Sequence, residues 1–358
     1  MLNPLILSIM AAENKKMHEA VAEKIIAQLK EGTAPWQLPW EKSTAAFDKP
    51  QNAVTDKAYR GLNALYLQLF SPFEDPRWAT FKQAQSKGWQ VQKGAKGMAI
   101  NFVKTHQFYP KKDEQGKQVL DENGKPVKVP RTLNPPMITK AWVFNAEQIK
   151  GVPPIAKSSE ISQWEKLNRV ESLVKNTGAS IAHVQGNSAY YSPLGDNIRM
   201  PEKTQFKSSD RYYATLLHEL GHWTGHKNRL DRSIMNSFGT QEYAREELRA
   251  EIASMMLGSE LQIGHDPGQH LAYVDSWIKI LTEKPFEIHQ AASDSQKIMD
   301  YLMTFDRKKE LKQVASKSST SDAEPVEVPD VERIPELSHQ PEVKYQKQEM
   351  ETTLKFGR

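Results

Sequence analysis

The 358-residue chain contains no cysteine. This excludes disulfides and thiolate metal sites and fits a reducing compartment, the cytoplasm. No apolar run reaches the 18 residues that a membrane span needs, and mean hydropathy is −0.65, so a soluble protein is expected. Met1–Ala12 is apolar but has no basic n-region and contains Pro4, which makes it a poor secretory signal and points to Met10 or Met17 as the native start. No internal repeat is evident. From about Arg307 onward aromatic residues nearly vanish while charged residues, Pro and Ser accumulate, the composition of a disordered tail over 307–358.

Net charge is also small, +4, but uneven. Residues 1–150 hold 22 Lys and Arg against 14 Asp and Glu, whereas the remainder holds 26 against 30. Five of the eight tryptophans fall in that basic part as well. Cations interleaved with flat aromatic faces suit single-stranded nucleic acid, whose phosphates and unstacked bases need one of each. Tryptophans serve cores more often, so composition leaves both roles open.

The segment Leu216-Leu217-His218-Glu219-Leu220-Gly221-His222 carries the chemistry. At helical pitch two histidines four residues apart lie on one face, aimed at one cation, and Glu219 stands beside the open position, where a carboxylate can take a proton from water. This is the layout of a zinc hydrolase. Ser209 and Asp210 supply a helix start, and no proline interrupts Arg211–His226. Leu216, Leu217, Leu220 and Trp223 give that helix an apolar side, and Gly221 and Gly225 allow another backbone close by. A third ligand is expected from a second helix, capped by Thr240 and ending near Gly258, on which Glu247 and Glu251 lie one turn apart. This resembles the thermolysin-like arrangement, which implies Glu247 as ligand and Glu251 as the acid fixing a histidine tautomer. The reverse assignment and Glu246 stay open, as does a solvated acidic face paired with Arg245 and Arg249. His226 is read as helix-terminal or as a neighbour of the ligands, because the metzincin type needs a glycine turn and a longer gap before its third histidine.

Elsewhere, Asn14–Lys30 reads as an amphipathic helix stopped by Gly32, followed by the stiff Thr33–Trp40. A second helix is expected up to Phe70 and a third from Trp78 through Ala84, ended by Gly88. Val91–Gly97 is a glycine-basic turn before a strand at Met98–Lys104, and Tyr109–Pro136 is an exposed loop or long hairpin before a strand at Met137–Phe144. Gly151–Pro154 marks a boundary. A helix and short strands near 180–184 and 197–200 lead into the metal helix, with further helices over Leu271–Leu281 and Ile288–Phe305.

The order E-G-T-A-P-W-Q-L-P-W, Y-R-G-L-N, R-W-A-T-F-K-Q-A and V-Q-K-G-A-K-G resembles the N-terminal domain of ArdC-type antirestriction proteins, which is shared with TraC-type primases. Likewise Y-Y-S-P-L-G-D-N-I-R-M-P, Y-Y-A-T-L-L-H-E-L-G-H-W-T-G-H, R-L-D-R and Y-A-R-E-E-L-R-A-E-I resemble the zincin-like metallopeptidase domain of that family. The resemblance implies an α+β fold of two domains. A basic single-stranded-DNA-binding domain would cover 13–150 and a mainly helical, gluzincin-type domain 155–306. It also implies a protein of conjugative plasmids, able to pass into the recipient cell, that shields incoming DNA from restriction. The peptidase half is similar to Spartan-type proteases, which cleave protein crosslinked to DNA.

On this reading zinc, or else manganese or cobalt, sits on His218, His222 and Glu247, with Glu219 as general base for peptide hydrolysis. Tyr213, Tyr243, His270 and Tyr273 are the candidate oxyanion donors. Trp36, Trp40, Tyr59, Arg60, Trp78, Lys82, Lys93 and Lys96 are the candidate DNA contacts. Competing readings are a protective DNA-binding protein with an inactive metal domain, or a TraC-like primase accessory. No polymerase-type acidic cluster or primase motif supports the latter.

Overall fold

The structure is a computed structural model that describes residues 15–32, 34–37, 49–155, 162–263 and 273–318. It is α+β, with eight helices and nine strands among the described residues. Helix α1, Met17–Lys30, buries the expected stripe of Met17, Val21, Ile25 and Leu29, and Gly32 follows it at φ 79°. Helix α2, Gly61–Phe70, buries Leu62, Leu65 and Leu69. Between α2 and the next helix, Arg77–Thr80 forms strand β2 rather than the start of a helix. The helix α3 begins only at Phe81, because Thr80 and Gln83 form a capping box there, Gln83 N donating to Thr80 Oγ1 at 3.2 Å.

Strand β1, Gln51–Asn52, lies parallel to β2, and β2 pairs antiparallel with β5, Lys128–Asn145. On the far side β5 pairs with β4, Met98–Pro110, giving the order β1-β2-β5-β4. The expected loop at Tyr109–Pro136 is thus a hairpin that lengthens both strands. Its tip holds two consecutive turns of one kind. Asp113 Oδ1 accepts from Lys117 N at 2.8 Å and Asp121 Oδ1 from Lys125 N at 2.9 Å, with Gly116 and Gly124 at φ 82° and 73°. The matching strings D-E-Q-G-K-Q-V and D-E-N-G-K-P-V are a short tandem repeat, so the expectation of none is corrected. A second small sheet pairs β3, Gln90–Val91, with β6, Ile149–Lys150.

Helix α4, Gln163–Thr177, is capped by Ser162 and stopped by Gly178 in the left-handed region. Strands β7, Ser180–Val184, β8, Tyr190–Ser192, and β9, Asn197–Pro201, form a sheet in the order β7-β9-β8, which leaves β8 at an edge. Ser208 caps helix α5, Ser209–Trp223, and Thr240 caps α6, Gln241–Leu261. Gly258 lies within α6 instead of ending it; the left-handed residue after the helix is Gln262, at φ 55°. Helices α7, Val274–Glu283, and α8, Glu287–Ser318, complete the fold. The helical segment therefore continues past Phe305, its expected end, and past Arg307, the expected start of a disordered tail, to Ser318, and positions 319–358 lie outside the described residues. None of the described helices is long and apolar enough to cross a membrane.

The described residues as far as Lys312 belong to one compact unit. Its main core joins Val21 and Ile25 of α1 and Leu65 of α2 to Leu217, Leu248, Trp277 and Leu302, so both parts of the chain anticipated from sequence contribute to one interior. A smaller cluster of Leu67, Trp78, Ile100 and Val143 ties α2 to the four-stranded sheet. A shared interior predicts cooperative unfolding. Leu65→Ala, at a fully buried site, is expected to cost about 2–5 kcal/mol and to shift a single thermal transition seen by tryptophan fluorescence and circular dichroism alike. Two transitions of which only one moves would contradict it.

Candidate metal centre

Helices α5 and α6 pack together through Gly221 and Ala250. A Cβ on Gly221 would meet Ala250 Cα at 3.5 Å, ordinary contact distance, so the two helices approach there to within the thickness of a methyl group. This approach places the buried face of α5 against the acids of α6. The Nε2 atoms of His218 and His222 are 3.1 Å apart. Glu247 reaches both, with Oε2 3.4 Å from His218 Nε2 and Oε1 3.5 Å from His222 Nε2. Three vertices of a tetrahedron whose metal bonds are about 2.0–2.1 Å stand roughly 3.3–3.4 Å apart. The three donor atoms therefore already have the spacing of a zincin ligand set, and these residues form a group able to hold a metal ion.

The outer nitrogens of the histidines meet two further acids. Glu251 Oε1 lies 3.4 Å from His218 Nδ1, and Glu246 Oε1 lies 3.3 Å from His222 Nδ1. Each imidazole thus turns Nε2 to the shared centre and Nδ1 to a carboxylate, hydrogen-bonded in His222–Glu246 and in ion-pair contact in His218–Glu251. Arg232 anchors Glu246, with Nη2 donating to Oε1 at 2.6 Å, and its guanidinium also donates to Gly221 O and Thr224 Oγ1, both at 2.8 Å, at the carboxyl end of α5. Gly225 is required by this turn, since a Cβ there would lie 2.5 Å from Ile234 Cγ2.

Four buried carboxylates, Glu219, Glu246, Glu247 and Glu251, cluster around the two imidazoles and only Glu246 has a guanidinium, that of Arg232, so with neutral histidines the site carries an excess of negative charge that suits a cation. Burial disfavours charge on His222, yet Glu247 and Glu246 outweigh it and hold its pKa well above the usual value. Burial works against Glu247 too, but the two histidines hold its carboxyl far below the ordinary range. Glu219 moves the other way: burial raises its pKa, opposed by the two imidazoles and by the backbone amide of Tyr191. Tyr191 is itself fixed, its hydroxyl donating to Asp196 Oδ1 at 2.8 Å and accepting from Arg229 Nη2 at 3.2 Å.

Glu219, the two histidines and Glu247 open into a cleft of about 530 Å3 bordered by β8 and by Ile234–Ser237. Tyr243 and Tyr273 line this cleft with rings 5.7 Å apart. Burial and the charge of Glu247 raise the Tyr243 pKa, which keeps a donor proton on its hydroxyl. Tyr213 does not line it; its hydroxyl donates to Glu171 Oε1 at 2.6 Å. His226 follows the end of α5, where its Nδ1 accepts from Asn228 N at 3.3 Å, and it is not among the cleft residues. His270 lies outside the described residues.

The expected DNA contacts divide. Trp36 and Trp78 are 1% exposed, Trp36 edge-on to Trp277 at 5.4 Å and Trp78 packed on Phe73, so both are core residues and neither offers a face to a base. Trp40 lies outside the described residues. Tyr59 is half-buried with its hydroxyl accepting from Asn52, and Arg60 pairs with Asp300 of α8. Lys82, Lys93 and Lys96 are exposed. Sequence reasoning missed Arg232, the Glu246–His222 contact and the Tyr191 amide. The string R-L-D-R after the metal helix was the available signal for Arg232.

Two packed helices carrying HExxH and a following glutamate, beside a small sheet with β8 at its edge among the described strands, define a zincin-like metallopeptidase domain. Residues 168–294 match the family model of zincin-like metallopeptidases, and residues 15–144 that of the N-terminal domain of the anti-restriction factor ArdC. The chain belongs to the ArdC antirestriction family. It is similar to the crystal structure of the antirestriction ArdC protein from the R388 plasmid in its metal-free form, at TM-score 0.62 and 34% identity over 82% of this chain and 99% of that one. The Mn(II)-bound structure of that protein gives TM-score 0.63 and 32% identity, over 82% and 98% of the two chains. The DNA primase TraC of Escherichia coli is 52% identical over 300 residues, 84% of this chain. This chain spans only 28% of the length of that primase.

Metal uptake should displace protons, because both histidines ligate as neutral rings whereas the carboxylates beside them, Glu247 and Glu251 at His218 and Glu247 and Glu246 at His222, favour the protonated rings. Affinity for zinc is therefore expected to fall as pH drops, and calorimetry in buffers of different ionisation enthalpy should read the released protons. A heat independent of buffer would contradict it. Arg232→Met is expected to strand the buried charge of Glu246 and cost about 3–5 kcal/mol in urea unfolding of the metal-free protein. A loss under about 1 kcal/mol would assign the pair to the weak surface class.

Proposed function

We propose that this chain is a DNA-binding antirestriction protein whose zincin-like part is a working zinc peptidase. The observation that carries the reading is the tetrahedral spacing of the His218, His222 and Glu247 donors in the same cleft as the buried Glu219. Two imidazoles and a carboxylate suit zinc, with manganese and cobalt as competitors. When bound, the cation supplies Lewis acidity to a carbonyl and to water.

The protein residues supply the rest. A substrate peptide lies extended along the outer edge of β8, where backbone groups of an edge strand can receive it. Glu219, whose pKa is raised by burial, takes the proton of the attacking water and passes it to the amine as the carbon–nitrogen bond breaks. Tyr243 and Tyr273 line the cleft on the α6 and α7 side and are the candidate donors to the oxygen that gains charge. Glu251 and Glu246 keep the imidazoles in the ligating tautomer.

The basic first 150 residues, +8 in formal charge, bind single-stranded DNA and bring the peptidase to protein on that DNA in the cytoplasm of a cell receiving a conjugative element. A second reading, that the chain serves a TraC-like primase during transfer, is favoured by the 52% identity to the Escherichia coli protein.

Glu219→Gln tests the chemistry. Hydrolysis of a fluorescent casein substrate, with single-stranded DNA present, should fall by about 10²–10⁴-fold while the metal content stays unchanged. Full activity in the variant would remove Glu219 from the mechanism. A parallel restriction assay separates the roles: protection that survives the substitution makes DNA binding the protective activity.

A further inference from the structure

The β4–β5 hairpin leaves the globule as a two-stranded ribbon. Only Val143–Asn145 of β5 pair with β2, whereas residues 128–142 pair with β4 alone among the described strands. Its root packs on the body, where Ile100 is buried with Val143 and Asn101 exchanges two hydrogen bonds with Asn63 of α2, but side chains of a ribbon paired only with itself would otherwise be expected to be polar. Instead it carries exposed aromatic residues: Phe102 is 52% exposed, Trp142 56% and Phe108 63%, in contrast to the buried Trp36 and Trp78. Ile138 and Met137 are exposed beside them.

The charges on the strands have one sign. Residues 98–110 and 128–145 contain Lys104, Lys128, Arg131 and Lys140 and no Asp or Glu, the acids of the hairpin being confined to its tip. Aromatic and cation are also paired in register. Phe102 and Lys104 are two residues apart on β4, and Lys140 and Trp142 two apart on β5, so each pair shares one face of its strand. Phe102 stands opposite Thr139, and Trp142 opposite Ala99, which puts the two pairs on opposite faces of the ribbon. Beyond the irregularity at Lys104/His106, the guanidinium of Arg131 sits 5.3 Å from the ring of Tyr109. The exposed Lys93 and Lys96 immediately precede β4 at the ribbon's root.

We propose that this ribbon is the surface on which the chain takes up single-stranded DNA, with Trp142 and Phe102 stacking on bases and Lys140, Lys104 and Arg131 meeting phosphates. The inference rests on the DNA-binding part of the function proposed above and moves it from the tryptophans of the N-terminal motifs to the ribbon. Apolar faces alone would suit a protein partner. The acid-free strands with a cation two residues from each aromatic match a polyanion that offers flat, unstacked faces, and a duplex keeps those faces hidden.

The test uses the full-length protein and fluorescein-labelled oligo(dT), with anisotropy read at two salt concentrations. Trp142→Ala and Phe102→Ala should each weaken binding by about 5-fold or more with the salt dependence unchanged, and Trp142→Phe should retain most of the affinity. Lys104→Gln and Lys140→Gln should instead each lower the slope of log affinity against log salt by about one. The side chains are exposed, so melting temperatures should not move. If the wild type binds the oligonucleotide and all these variants bind equally well, the ribbon is overturned as the site while the DNA-binding reading stands. If the wild type does not bind single-stranded DNA at any salt, the DNA-binding reading falls and the ribbon proposal with it. A dimer in size-exclusion chromatography that Trp142→Ala dissolves, at unchanged DNA affinity, would make the ribbon a subunit contact and overturn the proposal.

Discussion

The contact between α5 and α6 is the constraint on which the functional part of this protein depends. At Gly221 and Ala250 neither helix presents more than a methyl group, so the acids of α6 come within 3.3–3.5 Å of the imidazoles of α5. Groups that in isolation would resist burial are thereby set against one another. Each helix alone would carry a costly row of buried charge; together they make a cluster with a negative excess that a divalent cation satisfies. The surrounding architecture holds this approach. The core beneath α5 and α6 includes Leu217, Leu220, Leu248 and Ile252, and Trp277 of α7 donates from Nε1 to Ala244 O at 2.8 Å.

The other wall of the cleft depends on one residue of the small sheet. The side chain of Tyr191 is tied to Asp196 and Arg229, while its backbone amide faces Glu219. A proton-carrying carboxylate and the strand edge beside it are thus parts of one rigid arrangement. Arg229 and Arg232, three residues apart after α5, divide the work: the first braces the sheet side and the second the helix side.

Much of this was legible from sequence because it follows from local rules. The i,i+4 histidines and Glu247 one turn before Glu251 depend on helical pitch, and the caps at Thr240 and near Ser209 on local side-chain chemistry. Other features needed tertiary information. Trp36 and Trp78 occupy motifs rich in basic residues, but a tryptophan's place inside or outside is set by what folds over it, here Trp277 and Phe73. Trp78–Ala84 has no breaker and predicts a helix from its first residue, but the pairing of β2 with a strand more than 60 residues later outweighs local propensity. Strand β8 has three residues, too short for a periodic signal. The partner of His222 was ambiguous because three acids lie within six positions on α6, and only the packing angle assigns each to its nitrogen.

The two turns at the hairpin tip have a structural corollary. Each closes on itself, an aspartate carboxylate capping the amides two and four residues on and a glycine completing the bend. The two units are also tied together, since Val119 N donates to Lys111 O, Val127 N to Val119 O and Lys111 N to Val127 O, a ring that joins both turns to the ends of the strands. The tip is therefore a single knot of two turns kept or lost together, a rigid cap that stops the far end of the β4–β5 pair from fraying.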